Sequence, residues 1–221
     1  MRTLRQISEA CNSNKLRNKY EPFYERVLGH LRNQPITIVE IGIFEGGSLR
    51  MWRDYFPNAQ VFGFDVRKPY LFTEDRITTM LVDQSDRAQL EAAMREIGPA
   101  DVILDDGSHR VIDQQISLGY LFQHVKPGGY YIVEDVQSSY FYDGYAKAEA
   151  HARIKGIAID LYNTTYVALK NYEQFGVMKS QYMTPDELAH LNQQIASCQL
   201  DIRNNFRSVT CALQKRAEET A

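Results

Sequence analysis

The sequence predicts an α/β fold: a doubly wound sheet with a parallel core, a closing antiparallel hairpin and a helical extension at the N-terminus. Three observations carry this. Short apolar runs alternate with amphipathic helical patterns from Ile36 to Glu134, and such alternation builds a parallel sheet with helices on both faces. The first run, Ile36–Ile41, ends in an acid and a glycine and flows through Gly42–Ser48 into a helical pattern, the strand–turn–helix of nucleotide-binding sheets. Near the C-terminus, Leu200, Ile202 and Phe206, then Val209, Cys211 and Leu213, alternate with polar residues, as a strand pair with one buried face does.

Each element has its own signal. Residues from about Leu4 to Leu31 read as helical, with Tyr20, Phe23, Tyr24, Val27, Leu28 and Leu31 at three- and four-residue spacing. Tyr20 and Tyr24 are expected in the core of that extension rather than at a site. Ile36–Ile41 is a strand and Gly47–Tyr55 a helix closed by Pro57, with Trp52 packed inside it. Gln60–Asp65 and Ile77–Val82 are the second and third strands. Arg87–Ile97 is a helix ended by Gly98-Pro99, and Asp101–Asp105 the fourth strand. Val111–Val125 is a helix ended by Lys126-Pro127-Gly128-Gly129, and Tyr130–Glu134 the fifth strand. Tyr140–Tyr172 reads as an aromatic-rich helical excursion. Pro185–Ser197 is a helix with Thr184 as N-cap and Asp186 and Glu187 in its first turn. The closing strands turn near Asn204–Ser208. The expected division is residues 1–35 as extension and 36–221 as the main domain, with an insertion at about 140–172.

Composition narrows the function. A net charge of -3 over 221 residues offers no broad basic face for nucleic acid. No apolar run reaches the ~20 residues of a membrane span, and the first residues lack a signal peptide's apolar core. The odd cysteine set, Cys11, Cys198 and Cys211, has no metal-type spacing. A cytoplasmic protein is expected, with a small-molecule partner, and assembly of identical copies is left open.

The Gly turn is the first chemical signal. A dinucleotide fingerprint would read G-x-G-x-x-G, whereas Gly42, Phe44 and Gly47 stand at those positions. Phenylalanine at the middle position blocks a pyrophosphate but leaves room for a cofactor without phosphates. Glu40 and Asp65 end the first two strands, and an acid ending the second strand accepts hydrogen bonds from ribose hydroxyls. The combination suits S-adenosyl-L-methionine (SAM) better than NAD. The blander role for Asp65 is a turn former. Asp83 and Gln84, after the third strand, are candidates for an adenine edge, while Ser85 or Asp86 caps the next helix.

The acids are the second signal. Strands of a parallel sheet end at one edge, where ligands bind, so Asp105, Asp106, Glu134 and Asp135 are expected within reach of one another. With no Lys or Arg adjacent, such a cluster needs a cation or a shared proton, and oxygen donors point to a hard divalent ion such as Mg2+. Neutralisation by Arg110 is the alternative. His109, past Asp106 in a Gly107-Ser108 turn, is either a general base or an idle loop histidine.

Val39–Trp52 followed by Val61–Asp65 resembles the SAM motifs of class I methyltransferases, whose sheet is Rossmann-like. More narrowly, Asp101-Val-Ile-Leu-Asp-Asp-Gly-Ser-His109 with Val125-Lys-Pro-Gly-Gly-Tyr-Tyr-Ile-Val-Glu-Asp135 resembles the Mg2+-dependent sugar O-methyltransferases of antibiotic biosynthesis. The resemblance runs from about Ile36 to Val136. It implies SAM contacts from Glu40, Gly42, Gly46, Ser48, Asp65, Asp83, Gln84 and Asp105, a metal held by Asp106, Glu134 and Asp135, and His109 as the base. The implied acceptor is a hydroxyl of a sugar or glycosylated natural product. Asn12-Ser13-Asn14-Lys15 and Tyr20–Tyr24 are only loosely similar to that family's N-terminal Thr-Asp-Lys and Tyr-x-x-x-Tyr entry segment. Rival readings are a catechol-type O-methyltransferase, with Tyr140, Phe141, Tyr142 and Tyr145 as a lid, an NAD oxidoreductase, and a non-catalytic SAM-binding protein.

Overall fold

The structure is a computed structural model that describes residues 2–16, 19–139, 165–203 and 208–218. Its strands are β1 (Thr37–Ile41), β2 (Gln60–Asp65), β3 (Thr73–Glu74), β4 (Ile77–Leu81), β5 (Ala100–Asp105), β6 (Val125–Val133), β7 (Ile195–Arg203) and β8 (Ser208–Lys215). They form one sheet in the order β3-β4-β2-β1-β5-β6-β8-β7. The run β4-β2-β1-β5-β6 is parallel, and β8 and β7 close the sheet antiparallel. The order reverses between β1 and β5, the switch point at which open α/β sheets leave a crevice.

The helices are α1 (Leu4–Ala10), α2 (Glu21–Leu28), α3 (Gly47–Tyr55), α4 (Arg87–Ile97), α5 (Val111–Leu121), α6 (Thr165–Phe175) and α7 (Pro185–Gln194). One apolar cluster lies on the sheet face shared by Val39, Ile103, Tyr131 and Leu118. A second lies on the opposite face, where Ile38, Leu104, Ile132 and Trp52 meet Leu4, Phe23 and Tyr24 of the N-terminal helices. Alternate residues of a strand point to opposite faces, and this parity decides where each acid goes.

Three expectations shift. The N-terminal segment is two short helices rather than one. Thr3 caps α1 in a reciprocal box with Gln6, the chain turns at Asn12 with φ 52°, and Pro22 restarts it in the first turn of α2. Strand β6 begins at Val125, because the Lys126–Gly129 stretch is accommodated as a bulge: Ala100 faces Val125 while Val102 faces Tyr130. The helix expected to Ser197 ends at Gln194, where β-branched Ile195 pairs with Lys215 and starts β7. Its start is as expected, with Thr184 and Glu187 forming a capping box. Of the Tyr140–Tyr172 excursion, residues 140–164 and the proposed aromatic lid lie outside the described residues, as does the turn at 204–207.

Candidate active site

The C-terminal ends of β1, β2, β4 and β5 open onto a cleft of about 1130 Å³. At one end stand Phe44, Asp65, Val66, Arg67, Tyr70 and Val82–Ser85. At the other stand Asp106–Arg110, Asp113 and Asp135, and Asn12, Ser13, Asn14 and Leu16 of the N-terminal segment form part of the wall.

The turn after β1 is shaped by close approaches. Gly42 has φ +94°, and a Cβ there would sit 2.2 Å from the Asp106 carbonyl oxygen. Its glycine therefore lets the loop after β5 pass, not only a ligand. Gly47 faces the Asn12 carbonyl, which a Cβ would meet at 2.8 Å, so the N-terminal segment lies directly on the turn. Asp65 accepts from the backbone N–H groups of Ile43 at 3.0 Å and Arg67 at 2.8 Å. That is the turn-forming role, and Asp65 still lines the cleft. Phe44 is exposed and meets Tyr70 edge-on at 5.8 Å.

Strand parity splits the acids. Glu40, Asp106 and Glu134 follow the Ile38, Leu104 and Ile132 face, whereas Asp105 points to the opposite face. There Asp105 is fully buried, accepting from Ser117 Oγ at 2.6 Å and from Gln84 Nε2 at 3.2 Å. Burial pushes its carboxyl above the usual range, and the Ser117 hydrogen bond opposes that. The expectation that Asp105 joins the other acids, or reaches a cofactor, is therefore corrected: it lies beneath the cleft. Gln84 is also committed, its carbonyl accepting from Ser108 N–H at 2.7 Å. Its side chain clamps the Gly107–His109 turn, where the expected role was an adenine contact. Asp83 stands on the cleft, with one oxygen held by Ser85 N–H at 2.9 Å.

Glu40 is corrected in the same way. It is buried under Trp52, whose Nε1 donates to it at 3.0 Å, and it does not line the cleft. Gly46 is likewise off the cleft, with φ +75° and Phe72 where a Cβ would be, while Ser48 lines it.

The cation that the acids require is Lys15, which the reading from spacing had not placed there. Its ammonium, with a side chain only 1% exposed, lies 3.1 Å from Glu40 and 2.8 Å from Glu134, and it pairs with Asp106 Oδ2. Burial alone would lower this ammonium's pKa, but the three carboxylates outweigh burial and hold it well above the ordinary lysine value. Glu134 is pushed well above its usual range, by burial first and by Asp106 second. Arg110, the expected alternative, pairs with Asp113 at 3.4 Å.

Tyr20 and Tyr24 are buried, as expected, yet their hydroxyls also serve the cluster. Tyr20 donates to Asp135 Oδ1 at 2.5 Å, and Tyr24 donates to Glu134 Oε1. A signal was available: two tyrosines four apart share a helix face, and a buried phenol needs a partner.

On the cleft side of this cluster, Asp106, His109 and Asp135 each offer a donor atom within 4.8 Å of the others. His109 Nε2 is 3.5 Å from Asp135 Oδ2 and 3.8 Å from Asp106 Oδ1. Its Nδ1 is buried with no hydrogen-bond partner among the described residues. His109 and Asp135 both hold left-handed backbone, φ 56° and 50°, as do Asn12 and Phe44 elsewhere on the cleft, and strain of this kind gathers at functional sites. Among the described residues four carboxylates, Glu40, Asp106, Glu134 and Asp135, gather around Lys15 and His109, and the open carboxylate oxygens suit a hard divalent ion.

No protein-family model matches the chain. The chain is 37% identical, over 163 residues, to the 8-demethyl-8-(2-methoxy-alpha-L-rhamnosyl)-tetracenomycin-C 3'-O-methyltransferase of Streptomyces olivaceus, covering 67% of this chain and 42% of that protein. It is 34% identical over 161 residues to the mycinamicin VI 2''-O-methyltransferase of Micromonospora griseorubida, covering 70% of this chain and 40% of that one. The chain thus spans less than half the length of these curated relatives. Among solved structures, the MycE methyltransferase of the mycinamycin pathway, in complex with Mg and SAH, superimposes with a TM-score of 0.75 at 27% identity. That match covers all of this chain and 57% of the solved one.

Proposed function

We propose, for a chain that belongs to the class I SAM-dependent methyltransferases, that its cleft transfers a methyl group from SAM to a hydroxyl of a sugar or glycosylated natural product. The observation that carries this is the convergence of Asp106, His109 and Asp135 at one end of the cleft whose other end is formed by Phe44, Asp65 and Asp83. The matched relatives methylate sugars on natural products by name, and the solved neighbour holds Mg and SAH. On the proposed division, residues 1–35 are a helical extension that lends Lys15, Tyr20 and Tyr24 to the site built by residues 36–221.

In this reading Asp65 receives the ribose hydroxyls, Asp83 stands at the adenine, and Gly42, Gly47 and Ser48 line the remaining part of the cofactor's path. SAM would supply an electrophilic methyl group there. Mg2+ would be held by Asp106, Glu134 and Asp135, and it would lower the pKa of an acceptor hydroxyl. His109 lies within reach of the same position and takes the hydroxyl proton. Asp135 Oδ2 lies 3.5 Å from Nε2, so the nitrogen that would take the proton faces the acids. Glu40 and Asp105 are buried behind the cleft, Glu40 as a partner of Lys15 and Asp105 as a partner of Gln84, and Gln84 holds the turn that carries His109. The acid–histidine arrangement favours catalysis over mere SAM binding.

The test is calorimetry with SAM and S-adenosylhomocysteine, with and without Mg2+, followed by methyl transfer to a panel of glycosides and catechols. Micromolar binding with methylation of glycosides supports the reading. Methylation confined to catechols replaces the sugar with an aromatic diol. No binding by folded protein removes the methyltransferase reading.

A further inference from the structure

We propose that Lys15 is a positioning residue that competes with the divalent ion for the inner carboxylates and thereby sets how tightly the metal is held. The inference rests on the reading of Asp106, Glu134 and Asp135 as metal donors.

The geometry divides the donor oxygens between two cations. Asp106 turns Oδ2 to the Lys15 ammonium and Oδ1 toward His109. Glu134 gives Oε1 to Lys15 at 2.8 Å and receives Tyr24 on the same atom. Lys15 therefore holds two of the three proposed metal donors. Its third partner, Glu40 at 3.1 Å, lies outside the donor set.

The ammonium cannot turn to water for compensation, because its side chain is 1% exposed. It stays on the carboxylates until another cation draws them away. A divalent ion approaching Asp106 and Glu134 meets a positive charge already held by the same carboxylates, in surroundings where screening is weak. Binding must then divide or displace the Lys15 contacts. Lys15 also belongs to the Asn12–Leu16 stretch, whose neighbours line the cleft, so the wall on the cofactor side is tied to the state of the metal donors.

A lysine that merely supported the fold would behave in the opposite way. Its removal would disorder the carboxylates and weaken metal binding. Removal of a competitor tightens it.

The experiment titrates Mg2+ and Mn2+ into ligand-free wild type, Lys15→Met and Lys15→Arg, with circular dichroism and S-adenosylhomocysteine binding as checks on folding. The expected result is a metal Kd lower by on the order of tenfold in Lys15→Met, with Lys15→Arg near wild type. An unchanged or weaker Kd in folded Lys15→Met overturns the proposal. Because Lys15→Met leaves Glu40 and Glu134 buried without a counter-charge, it can fail to fold. A second measurement therefore uses wild type: the 15Nζ resonance of Lys15, assigned by its loss in Lys15→Arg, is followed as Mg2+ is added. It is expected to move as the carboxylates leave it, and a resonance unmoved at saturating Mg2+ overturns the proposal. Binding by Lys15→Met but not by wild type supports competition and the metal reading together. Absence of binding in both folded proteins removes the metal reading and the competition with it.

Discussion

A Cβ on Gly42 would lie 2.2 Å from the Asp106 carbonyl oxygen. The turn after β1 and the acid-bearing loop after β5 are thus set by one contact across the switch point. Gly42→Ala adds the clash to a φ of +94°, and a loss of about 3 kcal/mol is expected. Urea unfolding measures it. A change within about 0.5 kcal/mol would mean that the Asp106 loop moves aside freely.

Tyr24 donates its hydroxyl to Glu134 inside a site closed to water. Tyr24→Phe removes that donor and leaves Lys15 as the partner of Glu134 Oε1. The expected cost is about 1–3 kcal/mol, read from denaturant midpoints. A neutral result would show that Lys15 alone satisfies the carboxylate.

Asp105 carries a pH signature. Its folded pKa is raised by burial, so the native state holds the proton more tightly than the unfolded chain does. Stability from this group is present below the ordinary aspartate pKa and is lost as pH rises through the folded value. Asp105→Asn cannot ionise. Relative to wild type it should gain stability between pH 4 and the neutral range, after allowance for a constant offset from altered hydrogen bonds. Unfolding curves at several pH values test this, and a wild-type–variant difference independent of pH would contradict the buried, charge-averse environment.

The two ends of the cleft should separate on mutation. Asp65→Ala removes the acceptor for three backbone N–H groups and the proposed ribose contact, and should weaken S-adenosylhomocysteine about tenfold or more with Mg2+ affinity preserved. Asp106→Asn should do the reverse. Calorimetry on both variants decides, and equal loss of both ligands in either variant would sink this division of labour.

His109→Ala should lower methyl transfer to a glycoside acceptor by about 100- to 10,000-fold, with S-adenosylhomocysteine affinity unchanged. Single-turnover rates measure it. A variant as fast as wild type would assign the proton to another group.

The sheet, most helix limits and the acids at strand ends were legible because their signals are local. Strand parity, turn glycines and capping residues such as Thr184 act within a few residues of themselves. Parity also bore on which acids share a face: Glu40 lies on the Ile38 face, and Asp105 lies opposite Leu104. Read strand by strand, that pattern already separates Asp105 from Asp106 and Glu134. A common strand edge does not bring all four acids together, because neighbouring side chains on a strand point to two faces.

Sequence by itself determined the α/β order, the glycine turn after β1, the acids brought to one edge and the histidine between them, since each follows from short-range periodicity and from the common direction of parallel strands. Tertiary structure alone decided that Lys15, Tyr20 and Tyr24 are the partners of those acids. Lys15 is 91 residues from Asp106 and Tyr24 is 110 from Glu134, and no local pattern specifies a contact over such a span. It forms because α1 and α2 bury their apolar faces on the second core cluster, and that burial carries a lysine and two phenols into a site where unpaired carboxylates could not remain charged.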